Sequence, residues 1–159
     1  PYRLWHDPRF ITHVALLRSD HHDIEQEVLE LRRIIEVGAA RLAAQRCTQE
    51  QLELLAQYKA DYEQAHTEDD IDGAVDADLA FHGTILEATG NIYIASSLNS
   101  LTEALVAARR QAASDPAFRS LVVTQHVDVL EALQAKDPQR AAEAMSAHMA
   151  PRQPQEAEN

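Results

Sequence analysis

A short apolar stripe in the middle of the sequence contains two polar residues, Asp78 and His82, which lie one helical turn apart. On a helix they would share about a third of the circumference with the rest of the stripe, so both side chains are expected to point inward. The other residues of the stripe are Ile71, Val75, Ile85, Leu86 and Thr89. A buried ionised carboxylate is costly unless it is paired, hydrogen-bonded or bound to a metal. Other helices must therefore bring partners to Asp78.

Two later histidines are the candidate partners. His126 lies near the centre of an apolar helical face, and His148 belongs to a second face of the same kind. The apolar residues of these two faces are Val122, Val129, Leu130, Leu133, Ala141 and Met145. Together with Asp78 and His82, the two histidines form a set of three nitrogen donors and one oxygen donor, which suits zinc, nickel, manganese or iron. The pattern leaves one alternative open, in which these are hydrogen-bonded core histidines that bind no metal.

The remaining histidines do not join this set. They are His6, His13, His21, His22 and His66. The stretch His21-His22-Asp23 is expected to interrupt the helices, which would leave both histidines in solvent. Glu63 and His66 form one Glu-x-x-His motif, whereas a carboxylate di-iron bundle needs two such motifs and further glutamates. The sequence holds no second copy, so a di-iron centre is not expected.

The composition favours an all-α fold. The chain has 159 residues, with only four glycines and 5% aromatic residues, and it is rich in strong helix formers. This length suits one domain with a sizeable core. Hydrophobic periodicity and end signals predict an antiparallel bundle of about seven helices, over about 8–19, 23–46, 48–66, 68–90, 91–113, 116–136 and 138–149.

Capping residues set the predicted helix boundaries. Three Asp-Pro pairs begin at Asp7, Asp115 and Asp137, and each reads as an N-cap followed by proline at the first helical position. Thr48 to Gln51 has the form of a capping box, and Gly90 suits a left-handed C-terminal cap. In the predicted domain organisation a linker covers 1–7, one domain covers 8–150, and a disordered tail covers 151–159.

The second predicted helix carries two adjacent arginines that face different sides of the helix. Its apolar stripe consists of Ile24, Val28, Leu31, Ile35, Ala39 and Leu42. Arg32 lies at the edge of this stripe, while Arg33 points roughly away from it. We therefore expect Arg32 to face the core side of the helix and Arg33 to face solvent.

Charge and cysteine content narrow the possible partners. The chain has 26 acidic and 14 basic residues, and its formal net charge of -12 would repel a phosphate backbone. The single cysteine, Cys47, cannot form an internal disulfide, and the sequence has no signal peptide and no long apolar run. These features predict a cytoplasmic protein that does not bind nucleic acid or membrane by itself. The start at Pro1, without an initiator methionine, suggests a fragment of a longer chain.

The spacing of these residues resembles the FCD domain, the ligand-sensing domain of FadR-type GntR transcriptional regulators. The resemblance rests first on Asp78-x3-His82 and on His126-x3-Leu130-x2-Leu133-x3-Asp137-x3-Ala141-x3-Met145-x2-His148. Further matches are Glu30-Leu31-Arg32-x3-Glu36, the alanines that follow it, Phe81-His82, and Ala88-Thr89-Gly90-Asn91. The segment Trp5-x-Asp7-Pro8 resembles the linker and additional first helix of the FadR subgroup.

The resemblance implies a site for one divalent metal ion, with zinc favoured, held by Asp78, His82, His126 and His148. It also implies an adjacent pocket for a small organic acid, in which Arg32 and Asn91 would contact the ligand. Arg32 has the alternative of a salt bridge to a neighbouring carboxylate, and Asn91 that of a simple helix N-cap. The family further implies a homodimer, and operator DNA contacted only through a winged helix-turn-helix domain that this sequence lacks.

Three functions compete at this point. The first is a sensor, in which metal and Arg32 bind an organic acid or sugar acid and the bundle passes the change to a DNA-binding domain. The second is a metal-dependent hydrolase, which needs an inward general base near the metal. Glu87, Glu131 and Glu143 fall outside the apolar arcs, so the sequence does not favour this enzyme. The third is a purely structural metal site.

Overall fold

The computed structural model describes the backbone of residues 21–150 and the side chains of 26–99 and 101–150. These residues form seven α-helices, one short 3-10 helix at Asn99–Leu101, and no strand, which confirms the all-α prediction. We number the helices α1 His21–Arg46, α2 Gln49–Glu68, α3 Ile71–Ala88, α4 Ile92–Ser96, α5 Thr102–Ala113, α6 Pro116–Gln134 and α7 Pro138–His148. The predicted linker, first helix and tail lie outside the described residues.

The predicted caps are present wherever they fall in the described chain. Asp115 and Asp137 are N-caps with proline following, and each carboxylate accepts a backbone N–H bond. Thr48 and Gln51 form a complete capping box at the start of α2. Gly90 has a φ of +66° just after α3, a left-handed conformation that glycine adopts without strain. Local sequence therefore determines where these helices begin and end.

The long helix α1 contacts several of the other helices in the bundle. It packs against α3, α6 and α7, while α2 packs against α3 and α6. Its buried face is rich in alanine, which allows neighbouring helices to approach closely. The fully buried alanines of this face are Ala39, Ala40, Ala43 and Ala44. Within residues 21–150, no helix is both long and apolar enough to cross a bilayer.

The predicted fifth helix is wrong in its length. The segment expected to be one helix over 91–113 contains α4, the 3-10 turn and α5 instead. The Ser96 hydroxyl donates to the Ile92 carbonyl at 2.8 Å, and the Ser97 hydroxyl donates to the Ile94 carbonyl at 2.7 Å. Serine hydroxyls that bond to nearby backbone in this way compete with continued helix, and the helix ends there.

Two predictions for α1 also need correction. The expected break at His21-His22-Asp23 is wrong, because α1 already begins at His21. Leu31 was expected in the buried stripe but is 39% exposed, whereas Glu36 is only 1% exposed. Apolar residues occupy much of the circumference of this helix, so the hydrophobic periodicity does not identify one buried face. The alanine face is the one that packs against the neighbouring helices. The predicted phases of the arginines hold, with Arg32 partly buried and Arg33 exposed.

Candidate metal centre

Asp78 and His82 both point into the bundle from α3, as their positions in the stripe predicted. The relative exposure is 8% for Asp78 and 2% for His82. Helix α6 brings fully buried His126 towards them, and α7 brings His148 from its last turn. One donor atom from each of the four residues lies within 4.8 Å of the others. The structure therefore brings together the full set of donors that the sequence singled out.

The spacing of these donor atoms is close to that around a divalent metal ion. A tetrahedral ion with bonds of about 2.0–2.2 Å holds its ligand atoms about 3.3–3.6 Å apart. Asp78 Oδ1 lies 3.2 Å from His126 Nε2 and 3.6 Å from His82 Nε2. The Nε2 atoms of His82 and His148 are 2.9 Å apart, which is shorter than this range and within hydrogen-bond distance. All three imidazoles thus turn the same nitrogen towards one point beside the Asp78 carboxylate, and the cluster could hold such an ion.

The electrostatics keep two of the histidines in the form that binds metal. Burial lowers the pKa of His126, and burial together with the neighbouring His126 and His82 lowers the pKa of His148 well below its usual range. Both are therefore neutral near pH 7, as metal ligands must be. Burial would also lower the pKa of His82, but the Glu36 and Asp78 carboxylates outweigh it and raise that pKa.

A second layer of side chains orients the donors. Glu36 on α1 contacts His82 Nδ1, and its other oxygen accepts a 2.8 Å bond from Arg32 Nε. The Gln125 side-chain oxygen lies 3.0 Å from His148 Nδ1 and can accept a hydrogen bond from it when that nitrogen is protonated. Groups of this kind fix the tautomer of a ligating histidine and raise its basicity. Nδ1 is thus occupied in His82 and His148, leaving Nε2 for the shared site.

His126 is held by packing. Its ring stacks on Phe81 with centroids 4.2 Å apart, and it forms a T-shaped pair with the Tyr62 ring at a centroid distance of 5.2 Å. His126 Nδ1 is buried without a hydrogen-bond partner among the described residues. An imidazole packed against two aromatic rings can keep one orientation without a hydrogen bond on its second nitrogen.

Two buried carboxylates, Asp78 and Glu36, carry the negative charge at this site. Burial would raise the pKa of Asp78, but Arg109 and His82 hold it well below the usual range. Burial would likewise raise the pKa of Glu36, while His82 and Arg32 hold it well below the usual range. Both carboxylates are therefore ionised, and each is paired with one arginine.

A cavity of about 310 Å³ adjoins this cluster. Its polar lining includes Arg32, Tyr62, Asp78, Arg109 and His148. Its remaining wall is mostly apolar, formed by Val28, Leu29, Ala74, Val75, Ala108, Ala112, Ala113, Phe118, Val122, Met149 and Ala150, with Gln26 at the start of α1. Burial and the nearby Asp78 carboxylate raise the pKa of Tyr62, so its hydroxyl stays protonated and can donate. The cavity has the size and lining of a site for a small anion with an apolar part.

The predicted ligand residues differ in where they lie. Arg32 lines the cavity, and its alternative role as a salt-bridge partner is also present, through Glu36. Asn91 is exposed, caps α4 by accepting the Tyr93 N–H, and is not among the residues that line the cavity. Its alternative as an N-cap accounts for its position, and its ligand role stays a prediction.

Sequence reasoning missed two buried charged residues that contact the donor cluster, Glu36 and Arg109. Arg109 is 7% exposed, lines the cavity and donates from Nε to Asp78 Oδ2. It lies four residues after Leu105 on the stripe of α5, so the signal that found Asp78 was available for it too. Glu36 lies four residues before buried Ala40, in a stretch where alanine marks the buried face only weakly.

Comparisons with known proteins agree with this architecture. The family model described as the FCD domain matches residues 27–151. An Escherichia coli (strain K12) protein with the provisional name L-lactate dehydrogenase operon regulatory protein is 29% identical over 152 residues, and so is its Shigella flexneri counterpart. Each alignment covers 91% of this chain and 56% of the relative, so the chain spans little more than half of their length. A solved structure titled Streptococcus agalactiae GntR matches with a TM-score of 0.70 and 27% identity, covering 84% of this chain and 59% of that one.

Proposed function

Because this chain belongs to the FCD domain family, we propose that it is the metal-dependent sensor of a small carboxylate in a GntR-type transcriptional regulator. The observation that carries the proposal is the convergence of Asp78, His82, His126 and His148 within 4.8 Å, beside a cavity that Arg32 also lines. Metal and guanidinium are complementary to a carboxylate in charge and geometry.

The four donors would hold one divalent ion, with zinc favoured by the set of three imidazoles and one carboxylate. When bound, the metal supplies positive charge and an open coordination position for a ligand oxygen. The protein's own part is to orient the imidazoles through Glu36 and Gln125 and to keep the site within the bundle. Arg32, anchored by Nε on Glu36, would present its terminal nitrogens to the acid.

The acid would act by shifting a population of conformations. It must bind one arrangement of the bundle, or of two bundles, better than another for the signal to reach a DNA-binding domain. We propose that this domain precedes the chain in the complete protein, that the regulator belongs to the FadR subfamily, and that it works in the cytoplasm as a homodimer. Since a relative is named for an L-lactate dehydrogenase operon, lactate and other 2-hydroxy acids are the first candidates.

The described residues do not favour the hydrolase alternative. A metal-activated water needs a free general base nearby. Glu87, Glu131 and Glu143 are exposed, as predicted. Glu36 is the additional buried carboxylate, but it is already paired with His82 and Arg32.

Arg32→Ala is expected to weaken binding of the cognate acid by at least about tenfold. A charge-assisted bond from a guanidinium to a carboxylate contributes about 1.5–3 kcal/mol, and 1.4 kcal/mol corresponds to a factor of ten. Arg32→Lys should restore only part of this, because an ammonium cannot present two parallel donors. The measurement is calorimetric titration, using whichever organic acid first raises the melting temperature of the metal-loaded chain.

Arg33→Ala is the matched control, since Arg33 is exposed and its guanidinium contacts the Ser146 hydroxyl at 3.2 Å. It should leave acid affinity nearly unchanged, and metal content should be equal in all variants. Loss of binding in Arg33→Ala together with normal binding in Arg32→Ala would contradict the assigned role. If none of the organic acids binds the metal-loaded chain, the sensor proposal itself fails.

We expect the chain to dimerise without a DNA-binding domain. The support is the family resemblance, together with large apolar side chains left in solvent, among them Ile34 at 70% and Tyr93 at 81% exposure. Sedimentation at tens of micromolar protein should show about twice the mass of the 17.7 kDa chain. A single species of monomer mass across that range would reject the dimer.

A further inference from the structure

Arg109 connects the donor cluster to the cavity. Its Nε donates to Asp78 Oδ2, while Asp78 Oδ1 faces the Nε2 atoms of His82 and His126. One oxygen of the Asp78 carboxylate therefore faces the donor cluster, and the other accepts from the Arg109 guanidinium. Since Arg109 also lines the cavity, it lies where a bound acid would contact it.

The guanidinium of Arg109 has unused hydrogen-bonding capacity. Its side chain is 8% exposed, and its Nη1 is buried with no hydrogen-bond partner in the described part of the chain. A buried charged donor without an acceptor costs free energy, so native proteins rarely leave one unless another molecule completes it. Because Arg109 lines the cavity, a ligand oxygen there could accept a hydrogen bond from this guanidinium.

The balance of charge around the cavity points to the same ligand. Arg32 pairs with Glu36 and Arg109 pairs with Asp78, so these four side chains sum to zero. A divalent ion among neutral imidazoles would add two uncompensated positive charges to a buried site. Such a charge is unfavourable without anionic or strongly polar partners. One carboxylate of a bound acid would neutralise one of these two positive charges. The remaining charge favours a second oxygen-bearing group on the same acid.

We propose that Arg109 is a second effector-binding residue, which selects small acids with a second oxygen-bearing group over plain monocarboxylates. The second group is a 2-hydroxyl or a second carboxylate, and the Arg109 guanidinium donates to it while Arg32 and the metal hold the first carboxylate. The inference rests on the proposed sensor function and adds the class of acid that the site prefers. The 310 Å³ volume restricts that acid to a small one.

Three acids with the same number of carbons test this selection. Propionate has one carboxylate, lactate adds a 2-hydroxyl, and malonate adds a second carboxylate. Each is titrated calorimetrically into the zinc-loaded 159-residue chain and into zinc-loaded Arg109→Gln, Arg109→Lys and Arg110→Gln. The wild-type chain should bind lactate or malonate at least about tenfold more tightly than propionate. Arg109→Gln should lose about 10- to 100-fold for the preferred acid and change by less than about threefold for propionate.

Arg110→Gln is the matched control, because Arg110 is the exposed neighbour and pairs only with exposed Asp72 among the described residues. It should keep both the affinities and their ratio. Arg109→Lys keeps a positive charge beside Asp78 and should lose part of the affinity for the preferred acid. This variant tests the role of Arg109 if Arg109→Gln does not fold. A purely structural Arg109 would alter zinc affinity or stability but leave the ratio between acids unchanged.

Two results would overturn the inference while leaving the sensor function intact. In one, the wild-type chain binds the three acids equally. In the other, the variants of Arg109 keep the wild-type preference, which would assign the selection to the metal or another residue. Failure of all three acids to bind the wild-type chain would instead count against acid sensing at this site and against the role of Arg109 with it.

Discussion

Replacing His126 and His148 together with alanine is expected to abolish binding of a divalent metal by this chain. The wild-type protein should carry close to one ion per subunit, because the donors from α3, α6 and α7 converge on a single point. The double variant keeps only Asp78 and His82 from one helix, too few ligands for a closed site. Metal content after dialysis, measured by elemental analysis, gives the direct answer.

Removing the metal should also lower stability. An ion that binds only the folded state stabilises it by about 4 kcal/mol when its free concentration is about 1,000 times Kd. For a domain of this size, that corresponds to a fall in melting temperature of roughly 8–16 °C on chelation. The double variant should melt at the same temperature with and without chelator, since it has no ion to lose.

His66→Ala is the control for this experiment. His66 lies on α2, outside the cluster of four donors, and its replacement should leave metal content unchanged. Full metal occupancy in the His126→Ala, His148→Ala chain would show that the ion binds elsewhere. Unchanged melting of the wild-type chain on chelation would contradict a stabilising metal.

The four donors could be found from the sequence because each of them interrupts an apolar stripe. Asp78, His82 and His126 are polar residues at positions where helical periodicity demands burial. Periodicity tells which side of a helix a residue faces, but it does not tell which helices meet. The need for partners to buried Asp78 suggested that these helices meet, the family resemblance made it one metal site, and the structure supplies the meeting point of α3, α6 and α7 as a distance.

The two charged residues that the sequence analysis missed show the limits of periodicity. On α1, apolar residues surround much of the helix, and alanines form the buried face. Neither marks one side clearly, so the apolar pattern predicted Leu31 to be buried and gave no sign that Glu36 is buried. Arg109 could have been found, since it continues the stripe through Leu105, but long basic side chains are usually exposed and carry less weight.

The break between α4 and α5 had a different cause. Ile94, Leu98, Leu101 and Leu105 keep helical spacing through the segment, and that spacing predicted one continuous helix. The hydroxyls of Ser96 and Ser97 bond to backbone carbonyls four and three residues earlier, and such bonds compete with continued helix at the point where α4 ends. Polar side chains that bond to the backbone therefore limited the prediction of helix length, just as they made the prediction of helix starts reliable.

Replacing Glu36 is expected to give the second large effect, although this residue is not itself among the four donors. Its carboxylate contacts His82 Nδ1, so it holds the imidazole with Nε2 towards the site. Loss of such an outer partner typically lowers metal affinity by about 10- to 100-fold. Glu36→Gln keeps the shape but loses the charge, and we expect at least a tenfold loss. Glu36→Ala removes the contact entirely and should lie at the upper end of that range.

The Glu36 variants should also unfold more easily in the metal-free state. The carboxylate is 1% exposed and pairs with Arg32, whose side chain is 12% exposed. Breaking a buried ion pair by removing one partner typically costs about 3–5 kcal/mol, because the other charge is left uncompensated. Arg32 lies at the cavity and can reach water there, so we expect a cost at or below the lower end of this range. Urea denaturation of the metal-free proteins measures the free energy of unfolding.

Glu30→Gln on the exposed side of the same helix is the matched control for charge and should change neither property measurably. Zinc affinity is obtained by competition with a chromogenic chelator, which separates it from the stability measurement. Because Glu36 supports His82 and Arg32 at once, its loss should also weaken acid binding in chains that are still saturated with zinc. A Glu36→Gln chain with wild-type zinc affinity would mean that His82 keeps its orientation without a charged partner on Nδ1, as His126 does beside Phe81 and Tyr62.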